Sequence, residues 1–284
     1  MMPTLALDEV TLHYKDDNFT DPWTEPPTIL LQHGFSRSAQ FWYNWVPLLG
    51  AEFRILRPDM RGMGQSTMDD EQYEPLLPTF ADDTRRLLDH LGIDRIVFVG
   101  ESFGGIIGLQ FAYTYPERTR ALVLCNTPCR LPHNELKQRF TAGGNWDAAL
   151  QQGVGNWSTA TIDMRLDTRV APEGMKEWYI SEMDRTSPTV ARKLQAYLDT
   201  LDFRQHLPDI QVPTLLLIGA DTPTSPLAQQ QFMAEQIPTC HLAIHPDIGH
   251  GINVLRPAWC CGADAGIFGV KRRLVNLTSQ APEN

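Results

Sequence analysis

No run of about 18 consecutive apolar residues occurs in the chain, so no membrane-spanning helix is expected. The opening stretch, MMPTLALDEV, has no basic segment leading into an apolar core, which argues against a secretory leader. Positive charge is in deficit. The 24 lysines and arginines stand against 34 aspartates and glutamates, a net charge of −10 that disfavours nucleic acid and anionic membrane surfaces as partners. Cysteine is scarce, and its count of five is odd, so no disulfide framework is expected. Cys125 lies in an apolar run as a small core residue, and the adjacent Cys260 and Cys261 have no metal-ligand pattern around them. These traits together point to reduced thiols in a cytoplasmic protein.

What is present is an alternation. Short apolar runs at Thr28–Gly34, Arg54–Met60, Arg95–Ser102, Arg120–Thr127, Pro213–Ala220 and Cys240–Asp247 read as strands. Those at Arg95, Arg120 and Pro213 are nearly continuous in Val, Ile and Leu, as parallel strands buried on both faces require. Helical spacing separates them. TFADDTRRLLDHLG ends on Gly92, and SPLAQQQFMAEQIP starts with Ser225 as its cap and Pro226 in the first turn. The pattern predicts a mostly parallel sheet with helices on both faces, plus an antiparallel strand over Val10–Asp16 near one edge. Between Thr127 and Pro213 the text is polar, amphipathic and rich in helix formers. A structureless loop of that length is improbable, so residues 128–212 are expected to form a helical cap inserted into a core built from 1–127 and 213–284.

Chemistry enters at VGESFGG. Gly100, Ser102 and Gly104 form a G-x-S-x-G pattern that follows a buried strand and opens a helix. A serine on so sharp a turn is held in strained backbone geometry with its hydroxyl exposed, and the helix N-terminus favours developing negative charge. A nucleophile of this kind needs an oxyanion hole. The strand at Thr28 ends in His33-Gly34-Phe35, which positions the Phe35 N–H to join that of Phe103. His33 comes early and is expected to order that loop. The general base is expected at His250, in a loop flanked by Gly249 and Gly251, in preference to His241 or His245 within the strand run. Arg37 and Arg130 are the nearest loop cations, and solvated surface charge is the simpler role for both.

These motifs resemble the α/β-hydrolase superfamily, with Ser, acid and His in that chain order. The segment DMRGMGQS, with Asp59, Arg61, Gly62, Gly64 and Ser66, is similar to that of its esterase, lactonase and haloperoxidase-like branch. The finer likeness is to 3-oxoadipate enol-lactonase-type hydrolases. The resemblance implies an eight-stranded, mostly parallel sheet, a Ser–His–Asp triad, and a small-molecule ester or lactone cleaved through an acyl-enzyme without metal or organic cofactor. C–C bond hydrolases and cofactor-free haloperoxidases share that triad, and a slow-turnover binding relative would keep the pocket. A homodimer is left open.

Two departures stand out. The branch places its acid three residues after the glycine ending the strand, here Gly219, with a proline four further on, here Pro226. That position is Thr222, and Asp221 comes one residue early. A small bend could bring Asp221 to His250; otherwise the acid comes from near Asn126, from Asp247, or is absent, with Thr222 orienting the ring. Asp221 is the expected third member. The second departure is the C-terminus, where Gly262, Gly266 and Gly269 interrupt helical spacing and predict an irregular tail after about Arg273.

Overall fold

A computed structural model of the chain describes residues 3–131, 135–263 and 266–267. Its centre is a mostly parallel sheet. The strands are β1 (Thr4–Ala6), β2 (Val10–Asn18), β3 (Thr28–Gln32), β4 (Arg54–Pro58), β5 (Thr67–Met68), β6 (Ile96–Glu101), β7 (Thr119–Cys125), β8 (Thr214–Gly219) and β9 (Cys240–His245). They run in the order β1-β2-β4-β3-β6-β7-β8-β9, with β5 paired to β2. The nine strands exceed the expected eight by β5, which pairs with β2 off the main path. β2 pairs antiparallel with β1, β4 and β5, while the pairings from β4 through β9 are parallel.

Every residue of β3, β6 and β8 is buried, which is why these runs lack the alternation of half-buried strands. Leu56, Leu30, Phe98 and Leu122 form one row across four strands. Each such side chain contributes about 1.5–3 kcal/mol by leaving water.

The helices of the core are α1 (Val46–Leu49), α2 (Leu77–His90) and α3 (Phe103–Thr114). Between β7 and β8 the chain forms α4 (Glu135–Phe140), α5 (Trp146–Leu150), α6 (Val154–Thr161), α7 (Met175–Met183) and α8 (Pro188–Leu198). The C-terminal third adds α9 (Leu227–Gln236), α10 (Ile252–Leu255) and α11 (Pro257–Gly262). The sequence run from Ser187 to Leu207 reads as one helix, but α8 ends at Leu198 and a separate 3-10 stretch covers Arg204–Asp209. A bridge between Arg130 and Asp202 occupies the gap. Ser225 does not cap α9: Pro226 holds the cap position, and the buried Ser225 hydroxyl lies 3.3 Å from that of Thr222. The expected irregular tail after Arg273 lies outside the described residues.

Topology locates the site. From β3 the chain passes to β4 on one side, then crosses to β6 on the other. The loops leaving β3 and β6 therefore diverge from adjacent strand ends, and such a switch point opens a crevice at the carboxyl edge of the sheet. No helix among the described residues is long and apolar enough to cross a membrane.

Candidate active site

Ser102 sits between β6 and α3 at φ 53° and ψ −120°, a positive φ that costs a non-glycine residue about 1–3 kcal/mol. The surrounding structure enforces it. Its N–H donates to the Cys125 carbonyl at the end of β7 (3.0 Å), and its carbonyl accepts from Gly105 and Ile106 to start α3. Gly104 is required by close approach, because a methyl there would strike the His33 and Gln32 carbonyl oxygens. A methyl on Gly100 would likewise strike the Gly104 backbone. The two glycines of the motif thus let α3 rest directly on the end of β3.

The β3 loop is held from below. His33 accepts from the Met60 N–H through Nε2 (3.0 Å), which leaves its Nδ1 proton to donate to the Gly34 carbonyl (2.8 Å). Burial pushes the His33 imidazole down, so the neutral ring is favoured. Asp59 completes the scaffold by accepting from the Ala39 and Gln65 N–H groups (2.6 and 2.9 Å) and from His13 (2.8 Å). Arg61 of the same motif makes a bidentate pair with Asp83, at 2.7 and 2.6 Å. This segment is architecture beneath the loop that leaves β3.

His250 is buried and lines the same pocket as Ser102, Phe35, Phe103 and Thr224. Its Nδ1 lies 2.7 Å from the Thr224 hydroxyl and 3.1 Å from that of Thr222. Its Nε2 lies 3.0 Å from an oxygen of Glu101. Burial lowers the His250 pKa, and the Glu101 charge opposes that shift. The backbone beside the ring is clamped. Asp167 accepts from the Gly249 N–H (2.8 Å), and its own N–H donates to the His250 carbonyl (3.0 Å). Asn126, at the end of β7, accepts from the Ile252 N–H (3.2 Å).

Asp221 does not reach the ring. Its carboxylate is half exposed and pairs with Arg169 at 2.8 Å, and Arg169 also grips Asp167. The expected bend is blocked by backbone bonds: Ala220 donates to His245, Asp221 to Ile248 and Thr222 to Gly219. Thr222 therefore keeps the register that the glycine and proline anchors assign to the acid, and it presents a hydroxyl there.

Arg37 departs from the expected solvated role. It is buried, paired with Glu101, and bonded to the Tyr179 hydroxyl and the Arg165 carbonyl. Arg165 was not anticipated at all. It lines the pocket, stacks 4.2 Å over Trp157 and bonds Ser158 and Thr161. Among the described residues no carboxylate pairs with it, and burial pushes its guanidinium down to about 10.

The family model for the alpha/beta hydrolase fold matches residues 27–257. The chain belongs to the alpha/beta hydrolase family. RutD of Caulobacter sp. (strain K31), a protein named as a carbamate hydrolase, is 30% identical over 83% of this chain and 88% of its own. The 3-oxoadipate enol-lactonase 2 of Acinetobacter baylyi is 24% identical over 89% of this chain and 91% of its own. Among solved structures, a thermophilic esterase from Thermogutta terrifontis is 28% identical with a TM-score of 0.79, covering 94% of this chain and 97% of that one. The enol-lactonase from Burkholderia xenovorans LB400 has a TM-score of 0.83 at 23% identity, over 94% of this chain and all of that one, a likeness of fold.

Proposed function

We propose that this hydrolase cleaves a carboxylic ester or lactone through an acyl-enzyme on Ser102. The observation that carries the reading is Ser102, held at a positive φ on the strand–helix turn, sharing one pocket with His250. In this reading the Ser102 oxygen attacks the carbonyl carbon as its proton passes to His250. The oxyanion rests on the N–H groups of Phe35 and Phe103. The Phe103 N–H suits that role because the first N–H groups of a helix find no acceptor within it. His250 returns the proton to the leaving oxygen, then activates water for deacylation. The helical segment 128–212 acts as a cap over the core of 1–127 and 213–284. Its Trp157 and Phe140 line an apolar pocket suited to a small acyl group.

The test is turnover of short-chain nitrophenyl esters together with labelling by a fluorophosphonate. Wild type is expected to label and turn over, and Ser102→Ala to do neither. Serine-independent turnover would overturn the reading. The likeness to RutD favours a second reading, in which the carbonyl belongs to a carbamate; serine-dependent release of ammonia from a simple carbamate would select it.

A further inference from the structure

Catalysis by the Ser102–His250 pair creates a positive imidazolium, and a buried imidazolium needs a compensating negative charge. The hydroxyls of Thr222 and Thr224 at Nδ1 carry none, and Asp221 is committed to Arg169 at the surface. Among the described residues a single carboxylate lies within ion-pair distance of the His250 ring. It belongs to Glu101, the residue immediately before the nucleophile, fully buried at the end of β6. We infer that Glu101 supplies the charge that the third member of a triad supplies elsewhere, acting on His250 from the Nε2 side while Thr222 and Thr224 orient the ring through Nδ1. This inference rests on the serine-hydrolase reading above.

The geometry suits a positioning residue acting through charge. Glu101 lies 3.0 Å from Nε2, a contact that becomes an ion pair once Nε2 takes the Ser102 proton, while the neutral ring keeps its own proton on Nδ1, facing the Thr222 and Thr224 hydroxyls. The balance is simple. The Ser102 O–H bond breaks and an Nε2–H bond forms, the serine oxygen pair attacks the carbonyl carbon, and the new positive charge appears beside Glu101. Burial penalises the Glu101 carboxylate, but the charges of Arg37 and His250 outweigh it and hold the group ionised. The charged groups facing His250 are Glu101 from β6, Arg37 from the loop after β3, and Arg165 from the segment between α6 and α7. Glu101 alone of the three favours the protonated ring. Arg37 does a second service, since without it Glu101 would be an unpaired buried charge.

The experiment uses Glu101→Gln, Glu101→Asp and the double variant Glu101→Gln/Arg37→Met, which leaves neither member of the ion pair charged. Each is assayed for nitrophenyl-ester kcat and kcat/KM from about pH 4.5 to 9, with fluorophosphonate labelling of wild type as the reference. Loss of the charge should lower kcat by about 10²-fold and move the acid limb of kcat/KM down by about one pH unit in Glu101→Gln, with Glu101→Asp intermediate. A structural role would lower activity without moving the limb, and that result overturns the inference. Should Glu101→Gln fail to fold, the double variant decides: kcat at least about tenfold below wild type is expected, and recovery to the wild-type value would reduce Glu101 to a partner for Arg37. A wild type that neither labels nor turns over would instead sink the serine-hydrolase reading itself.

Discussion

Replacing Asp221 with asparagine removes the carboxylate that the sequence makes the expected third member of a triad, although it stands one residue early in register. In serine proteases, the equivalent change at the triad acid costs about 10⁴ in kcat. Here the carboxylate faces solvent and pairs with Arg169, itself 63% exposed, while the His250 Nδ1 is met by two threonine hydroxyls. Surface pairs of this kind contribute little, so Asp221→Asn should leave kcat within about threefold of wild type. Thr224→Val, by contrast, keeps the side-chain shape and deletes the hydroxyl 2.7 Å from Nδ1. Loss of a buried hydrogen-bond partner costs about 1–3 kcal/mol, or about 5- to 150-fold in rate if it is felt fully in the transition state. The assay is kcat for a nitrophenyl ester on both variants, with thermal melting to verify folding. A fall of 10³-fold or more in Asp221→Asn, with Thr224→Val near wild type, would refute the assignment.

Two further outcomes follow from the same geometry. Asp167→Ala deletes the acceptor for the buried Gly249 N–H beside His250. It should cost about 1–3 kcal/mol in chemical denaturation and lower kcat together with stability; an unchanged denaturation midpoint would show that the clamp is idle. Acidification should destabilise the fold in two stages, because burial depresses the His33 and His250 pKa values in the folded state. The unfolded chain then takes up protons first, so stability falls as pH drops below about 6.5, by up to about 1.4 kcal/mol per unit for each histidine. A second loss follows below about pH 4, as the Asp59 and Asp167 carboxyls are protonated. Burial raises Asp59, but its bonds from His13, Ala39 and Gln65 outweigh that, while Arg169 lowers Asp167. Melting curves between pH 4 and 7 that coincide would contradict the first stage.

Much of this molecule was legible before any coordinates. Strands buried on both faces declare themselves as unbroken aliphatic runs, and β6, β7 and β8 did so. Ser102 was readable because a local rule, small residues around a strand–helix turn, dictates its surroundings. Arg165 was not, since its neighbours Trp157, Ser158 and Thr161 give it no motif and the pocket reaches it only through the packing of the helical segment. Arg37 was misread for the same reason: its partners Glu101 and Tyr179 lie far along the chain. Glu101 carries a readable signal of its own. A glutamate in a strand buried on both faces is almost never tolerated unless it is paired, so the second position of G-E-S-F-G already required a cation nearby.

The acid loop shows how register and residue identity separate. A methyl on Gly219 would strike the carbonyl oxygens of Ile248 and Gly249, so the strand end packs backbone against backbone on the loop that carries His250. The Asp221 N–H then donates to the Ile248 carbonyl at 3.1 Å, which fixes the chain one residue short of the ring and turns the Asp221 side chain outward. Sliding the loop to bring Asp221 inward would break that bond and the Thr222 to Gly219 bond together, each in a setting where an unmet N–H costs about 1–3 kcal/mol. It would also trade an exposed, paired carboxylate for a buried one. No gain at His250 is left to drive such a slide, because Thr222 and Thr224 already satisfy Nδ1 and Glu101 already supplies the negative charge. Backbone packing thus fixes position in the loop, and the carboxylate nearest the His250 ring stands on β6 instead.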